Sequence, residues 1–172
     1  MLVIAELLLA ALLLIATWHL GTHLVSIVAG APYVPSTDER VRMMLRMSRI
    51  QPGEKVADLG SGDGRLVISA AALGADAVGY EVNPFLTLRA RVMAWKAGLG
   101  RRVGFRTRPF QRAALGDYDV IFCYLLPSLM AKVEKKLERE LKPGGRVVVN
   151  AFPLPTWKPL AVRDHVYVYE RQ

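Results

Sequence analysis

The stretch VADLGSGDGRL, residues 56–66, limits the possible folds more than any other part of the chain. An apolar run that contains Asp58 leads directly into three glycines at alternate positions, Gly60, Gly62 and Gly64, before a helical pattern begins. Glycine allows positive φ angles and a close approach of a ligand to the main chain, and a helix N-terminus presents unpaired N–H groups. The stretch therefore predicts a strand, a ligand-binding loop and a helix, in that order.

Apolar segments alternate with helical segments through the rest of the chain. The order is AVGYE, PFLTLRARVMAWKAG, RVGFRT, YDVIFC, PSLMAKVEKKLEREL and RVVVNAF. Strands joined by single helices form a parallel sheet that is covered by helices on both faces. The last segments, PLAV and HVYVYE, predict an antiparallel hairpin at the edge of that sheet. The expected fold class is α/β.

Two helix starts have capping signals. Ser36 followed by Glu39 is typical of a capping box and predicts a helix over residues 37–47. Asn83 followed by Pro84 predicts the start of a second helix. Apolar residues at helical spacing predict the side of this second helix that packs in the core: Phe85, Leu88, Val92, Trp95 and Leu99.

The N-terminal segment is strongly apolar. Residues 7–28 carry no formal charge, and 22 residues in a helix extend about 33 Å, more than the roughly 30 Å of a hydrocarbon layer. We therefore expect residues 1–30 to form one transmembrane anchor helix, followed by a domain at residues 31–172. A cleaved signal peptide is the alternative, but such a peptide begins with a positive segment, and the only charge before this run is Glu6.

The distribution of basic residues predicts the orientation of that anchor. Arg40, Arg42, Arg46 and Arg49 follow the apolar segment, and no Lys or Arg precedes it. Basic residues favour the cytoplasmic side of a span, so the domain is expected to face the cytoplasm. The formal net charge of +8 suits an anionic lipid surface, an acidic protein or a nucleic acid, and charge alone leaves these partners open.

Cysteine and histidine usage predicts neither a disulfide nor a metal site. Cys123 is the single cysteine, which excludes an internal disulfide and fits a reducing compartment. His19 and His23 share a helical face but lack a third ligand, so no metal is expected.

The glycine spacing separates two classes of cofactor. A dinucleotide loop has the pattern G-x-G-x-x-G, whereas this chain reads G-x-G-x-G after an aspartate. This pattern resembles the first motif of the Rossmann-like S-adenosylmethionine-dependent methyltransferases. The resemblance implies that Asp58 or Asp63 faces the ammonium of S-adenosyl-L-methionine and that Glu81 accepts the ribose hydroxyls. The cofactor-binding residues predicted around this loop are Asp58, Gly60, Ser61, Gly62, Asp63, Gly64, Glu81 and Asn83.

Further motifs narrow the resemblance. PYVPS, DLGSGDGR, GYEVNP, LEREL and FPLPTW are together similar to a family of small protein-lysine N-methyltransferases. Its mitochondrial members carry an N-terminal membrane segment and modify the c-subunit of ATP synthase or the adenine nucleotide translocase, and it has soluble archaeal relatives. The resemblance implies that Tyr33, Val34 and Pro35 lie over the cofactor. Relatives place an aspartate near the adenine where this chain reads RTRPFQR, so no adenine-binding residue is assigned.

Methylation of lysine requires a neutral amine. At pH 7, deprotonating a free lysine costs about 4.6 kcal/mol, and a pocket that excludes water lowers this cost. Aromatic side chains suit such a pocket, and we expect Tyr124, just after the fourth strand, and Tyr33 to take part in catalysis. For each aromatic residue taken singly, packing in the core or a loop is the competing interpretation.

The predicted function is a methyltransferase that acts on a lysine of a membrane-associated protein. The predicted partners are this protein substrate and membrane lipid, contacted through the N-terminal helix, and not nucleic acid. Two alternatives remain: an N-methyltransferase acting on a small molecule or a phospholipid headgroup, and a non-catalytic scaffold that binds the cofactor at a membrane.

Overall fold

The structure, a computed structural model, describes residues 2–28 and 33–172. The chain divides into two compact units, Met1–Tyr33 and Val34–Gln172. The first unit contains one helix, α1 (Leu2–Val28).

The predicted transmembrane segment at residues 1–30 is wrong. In the described part of the chain, no helix combines the length and the apolar content that crossing a membrane requires. The longest stretch of α1 without a polar side chain extends only from Leu7 to Ala16. These ten residues extend about 15 Å, about half of a hydrocarbon layer. Polar residues recur from Thr17 onward, which is the physical reason for this correction.

The second unit contains four helices, one 3₁₀ turn and seven strands among its described residues. The helices are α2 (Asp38–Ser48), α3 (Arg65–Ala72), α4 (Pro84–Lys96) and α5 (Pro127–Glu140), and the 3₁₀ turn is Phe110–Arg112. The strands are β1 (Lys55–Leu59), β2 (Asp76–Glu81), β3 (Val103–Thr107), β4 (Val120–Cys123), β5 (Arg146–Asn150), β6 (Ala161–Arg163) and β7 (Val166–Glu170).

The seven strands form one sheet in the order β3-β2-β1-β4-β5-β7-β6. Strands β1 to β5 pair in parallel, β7 runs antiparallel to β5, and β6 runs antiparallel to β7. The mostly parallel, Rossmann-like sheet and its C-terminal edge hairpin are therefore confirmed. The strand order reverses between β1 and β4, and such a reversal opens a ligand crevice at the carboxyl ends of the strands.

The core lies on both faces of this sheet. Along β1, Val56 packs in one apolar cluster and Ala57 in the other, because successive strand side chains point to opposite faces. Helices α2, α3 and α4 contribute buried residues to the first cluster, and α5 contributes to the second. Helices on both faces are therefore confirmed, and the two layers leave the strand ends open for a site.

The start of α2 differs from the prediction by one residue. Thr37, not Ser36, is the N-cap, and its hydroxyl accepts a hydrogen bond from the Arg40 N–H at 3.3 Å. Both residue types cap helices, so the sequence alone did not separate them.

Three residues of the predicted apolar stripe, Leu88, Val92 and Trp95, face away from the core, contrary to the prediction, whereas Leu99, just beyond α4, packs against it as predicted. Leu88 and Val92 are 49% and 44% exposed, and Trp95 is 77% exposed. The helix is instead buried through Leu86, Thr87, Ala90 and Ala94. The two alanines lack bulk, and the backbone of the helix therefore approaches the sheet closely on that side.

Candidate functional site

The candidate site forms where β1, β2 and β4 end side by side. Leu59, the last residue of β1, is level with Tyr80 on β2 and Cys123 on β4. The next residue along each strand is Gly60, Glu81 or Tyr124. Since the three strands are parallel neighbours about 4.8 Å apart, these three predicted site residues lie at one edge of the sheet.

The glycine loop has the backbone that its sequence predicts. Gly60, Gly62 and Gly64 have φ angles of 84°, 55° and 79°, a region that favours glycine. The N–H groups of Gly60 and Ser61 donate to the Tyr80 carbonyl at 2.9 and 3.0 Å. The loop therefore turns back over the end of β2 before α3 begins.

Glu81 connects the loop to the start of α4. Its Oε2 accepts the Gly62 N–H at 2.9 Å, and its Oε1 accepts the Asn83 N–H at 2.8 Å. The Asn83 carboxamide oxygen accepts the N–H groups of Phe85 and Leu86, as predicted for the N-cap of α4. Glu81 thus has a structural role in addition to any contact with a ligand, and Asn83 is engaged mainly with its own helix.

The two candidate aspartates have different surroundings. Asp63 is bound by Arg65, whose Nε lies 3.0 Å from Oδ1 and whose terminal nitrogen lies 2.8 Å from Oδ2. The Arg89 guanidinium lies 3.7 Å from the same carboxylate. Asp63 therefore already has cationic partners within the protein.

Asp58 is buried beneath the loop without such a partner. Desolvation by burial, followed by repulsion from Glu81 and Asp63, raises its pKa to about 7, and in the described part of the chain no cation or hydrogen-bond donor offsets these effects. Of the two predicted aspartates, only Asp58 has a raised pKa and no cation that neutralises it in the described part of the chain. Its role toward the cofactor ammonium stays a prediction.

Ser61 provides a second test of whether a polar ligand fits. Its hydroxyl is buried, and no group among the described residues forms a hydrogen bond with it. It packs over Gly79, where an added Cβ would lie 2.5 Å from the Ser61 oxygen. An unpartnered hydroxyl and an unneutralised carboxylate in one crevice fit the amino acid end of S-adenosyl-L-methionine.

The segment before α2 contacts the loop. The Arg65 guanidinium donates to the Ser36 carbonyl, which fixes Ser36 at the start of α3. Val34 and Pro35 come directly before this fixed residue. Val34 is 56% exposed. Tyr33 belongs to the first unit, and its role over the cofactor stays a prediction.

Tyr124 is half-buried and adjoins the glycine loop through its neighbour. A Cβ on Gly60 would lie 2.7 Å from Leu125 Cδ2, so the residue after Tyr124 covers the first glycine. Burial raises the pKa of the adjacent Cys123 thiol, which keeps this group protonated, and the side chain packs in the second apolar cluster.

Three residues around the site were missed. Arg65 donates hydrogen bonds to Asp63 and to the Ser36 carbonyl. Its position directly after the third glycine was the sequence feature that could have identified it. Gly79 makes room for Ser61, and an isolated glycine within a strand is a known sign of close backbone approach. Leu125 had no signal, because its contact with Gly60 depends on strand pairing.

Replacing Gly64 is expected to destabilise the fold more than its φ angle alone explains. A Cβ there would lie 2.6 Å from the Phe105 ring and 2.7 Å from Ala90 Cβ. We expect Gly64→Ala to lower the free energy of unfolding by about 3 kcal/mol, measured by denaturant titration. Gly98→Ala is the control, since Gly98 has φ 70° and no atom within 4 Å; it should cost about 1 kcal/mol. Equal losses in the two variants would refute the packing argument.

Comparison with known proteins agrees with this geometry. Residues 58–161 match the family described as ANTKMT methyltransferase domain. The chain is 42% identical to the adenine nucleotide translocase lysine N-methyltransferase of Mus musculus, over 81% of this chain and 62% of that protein. It is 37% identical to the ATP synthase c-subunit lysine N-methyltransferase of Xenopus laevis, over 90% of this chain and 72% of that protein. The chain thus spans less than two thirds of the mouse relative.

A solved structure extends the comparison to the fold. The crystal structure of an RNA methyltransferase from Salinibacter ruber in complex with S-adenosyl-L-homocysteine superposes with a TM-score of 0.77. The two sequences are 37% identical, over 80% of this chain and 93% of that one. S-adenosyl-L-homocysteine is the product that remains when S-adenosyl-L-methionine has given up its methyl group. The chain therefore belongs to the ANTKMT methyltransferase domain family, whose cofactor is S-adenosyl-L-methionine.

Proposed function

We propose that the whole protein transfers a methyl group from S-adenosyl-L-methionine to a lysine side chain of a membrane-associated protein. The observation that carries this proposal is the match, over 81% and 90% of this chain, to enzymes named as lysine N-methyltransferases. The names of those enzymes specify a translocase and a component of ATP synthase as their substrates. The same class of substrate suits this chain.

The residues at the sheet edge suit a neutral amine acceptor. The bound cofactor supplies an electrophilic methyl group, so the acceptor nitrogen needs a free lone pair. Tyr124 and Leu125 present apolar surface beside Gly60, and such surface strips water from a lysine ammonium and lowers its pKa. Tyr124 then orients the amine, while Asp58 and Glu81 hold the cofactor.

The test is transfer of a labelled methyl group. The full chain is incubated with methyl-labelled cofactor and a membrane extract, and we expect label in protein that yields methyllysine after acid hydrolysis. Tyr124→Ala should lower this transfer at least about tenfold while it still binds the cofactor, because it removes acceptor contacts alone. Tyr167→Ala, which removes another half-buried tyrosine from β7, is the matched control and should keep the transfer rate.

Other outcomes of this assay contradict the lysine proposal. Label that extracts with lipid indicates a headgroup N-methyltransferase, and cofactor binding without transfer indicates a scaffold. Label that ribonuclease removes indicates an RNA substrate, the second candidate, which is favoured by the similarity to the Salinibacter ruber protein.

We propose further that α1 contacts membrane lipid and that the domain acts at the cytoplasmic face of a membrane. Large apolar side chains on α1 are exposed, among them Leu8 at 61% and Leu12 at 64%. The buried single thiol of Cys123 suits a reducing compartment, and the positive net charge suits the anionic cytoplasmic leaflet. Flotation of the full chain with vesicles, compared with a variant that carries Leu8→Ser and Leu12→Ser, tests the lipid contact.

A further inference from the structure

The positive charge of this protein is concentrated in one continuous segment. Residues 82–116 contain eight of the 23 Lys and Arg residues and none of the 15 Asp and Glu residues. The other 15 basic residues are balanced by the 15 acidic ones, so the whole formal net charge of +8 resides in this segment. In the structure it comprises α4, the edge strand β3 and the 3₁₀ turn. The segment itself contains no acid, and the acids beside it come from other elements: Asp63 lies near Arg89, and Asp76 and Asp117 line one pocket with Arg101 and Arg102.

The outer face of α4 is apolar as well. Leu88, Val92 and Trp95 follow one another at spacings of four and three residues, which places them on one side of the helix. They are 49%, 44% and 77% exposed. The opposite side packs on the sheet through Ala90 and Ala94, so the exposed stripe contributes little to the core of the domain.

Basic side chains flank this stripe on both sides. By helical spacing, Arg91 lies on one side of it, and Arg89 and Lys96 lie on the other. Arg89 lies 3.7 Å from Asp63, and Arg91 donates to the Phe105 carbonyl at 3.0 Å, so both side chains are held in place. Lys96, with Arg101 just beyond the helix, is exposed, and within residues 33–172 neither has an acidic partner.

We propose that this face of α4 docks on the surface of an anionic lipid bilayer. Trp95, Leu88 and Val92 enter the boundary between headgroups and acyl chains, where tryptophan is favoured. Lys96 and Arg101 contact the phosphates and carboxylates of the headgroups, and each of these basic residues adds to the electrostatic attraction. The proposal is independent of which acceptor the enzyme methylates.

The combination of charges and apolar groups favours lipid over other anionic partners. A nucleic acid neutralises basic side chains through its phosphates and gains nothing from exposed leucine and valine. A protein partner needs a complementary groove for a convex helix, whereas a bilayer surface deforms around one. Hydrophobic residues bordered by arginine and lysine on a surface helix are the pattern of interfacial binding.

Docking on this face keeps the cofactor site close to the lipid surface. Helix α4 begins directly after Asn83, two residues beyond Glu81, and its Arg89 lies beside Asp63 of the glycine loop. A membrane-bound α4 therefore orients the open edge of the sheet relative to the bilayer.

The test uses Trp95 as a local probe in the full chain. Trp18→Phe and Trp157→Phe leave Trp95 as the single tryptophan, so its emission reports on α4 even if α1 also binds lipid. With vesicles of phosphatidylcholine and about 30% phosphatidylserine that carry brominated acyl chains, we expect a blue shift and at least about twofold quenching. Vesicles without phosphatidylserine should quench markedly less. The control retains Trp157 alone, whose ring packs against Tyr169, and should be quenched little.

Charge reversal provides the second measurement. Lys96→Glu with Arg101→Glu should weaken binding to anionic vesicles. The lipid concentration that half-quenches Trp95 should rise at least about tenfold. Lys132→Glu with Lys135→Glu reverses two exposed charges on α5 and is the matched control. We expect this control to bind as the parent does.

Three results would overturn the proposal. The first is quenching of Trp95 no greater than that of Trp157. The second is an RNA oligonucleotide that shifts Trp95 emission at concentrations where anionic vesicles have no effect. The third is a dimer, detected by sedimentation, that shields Trp95 in the absence of lipid.

Discussion

Replacing Asp58 with asparagine is expected to stabilise the protein and at the same time to weaken cofactor binding. Burial and the nearby charges of Glu81 and Asp63 raise the Asp58 pKa to about 7, so its ionised form is disfavoured in the folded state. Asparagine removes that charge, and at pH 8 we expect the free energy of unfolding to rise by about 3 kcal/mol. In the proposed role of Asp58, the variant also loses the charge that would complement the cofactor ammonium, which should lower affinity about 100-fold.

The pH dependence of Asp58 follows from the same shift. The folded pKa of about 7 lies above the ordinary aspartate value of 3.8, so between these limits the folded state binds more protons than the unfolded state. The contribution of Asp58 to stability is therefore greatest below pH 3.8 and is lost as pH rises towards 7. Cofactor affinity should change in the opposite direction and fall as pH decreases below about 7.

Denaturant titrations and calorimetry across pH measure both effects. Asp117→Asn is the control, because Asp117 is an exposed acid in a loop before β4. Its stability and affinity should stay close to those of the parent. An Asp58→Asn variant that loses stability at pH 8, or that retains full affinity, contradicts this assignment.

Replacing Glu81 with alanine is expected to abolish measurable cofactor binding. The residue accepts N–H groups from Gly62 and Asn83, so its loss leaves two donors unpaired and frees the loop from the start of α4. We expect affinity to fall more than about 100-fold and the free energy of unfolding to fall by about 2 kcal/mol.

A graded series separates the scaffold role of Glu81 from its ligand role. Glu81→Gln retains one acceptor oxygen and the size of the side chain, so its stability should lie within about 1 kcal/mol of the parent while affinity still falls at least about tenfold. Glu170→Ala is the matched control, since Glu170 also ends a strand but is exposed on β7. If Glu81→Ala weakened binding no more than this control, the ribose contact would be wrong.

Local patterns predicted most of the architecture. Each strand and helix of the sheet domain follows from a short apolar period, and the positive φ angles of Gly60, Gly62 and Gly64 follow from the glycines themselves. These features depend on residues that are close in sequence, which is why the sequence alone predicts them.

The predictions from sequence were wrong where the local sequence was compatible with two structures. Helix α4 has two apolar sides, and only packing on the sheet selected Ala90 and Ala94 over the larger side chains of Leu88, Val92 and Trp95. Ser36 and Thr37 are both capping residues, and the backbone of α2 selected the second. In α1 the absence of charge suggested a longer apolar run than Leu7 to Ala16 provides.

The sequence by itself determined the order of the elements, the glycine loop and the one-sided charge of residues 82–116, because these are properties of neighbouring residues. Only the tertiary structure gave the two aspartates different surroundings. Arg65 and Arg89 neutralise Asp63, whereas burial leaves Asp58 without a cation. The pKa of a carboxylate depends on groups brought near it by strand pairing and helix packing, and the order of residues along the chain does not contain those distances.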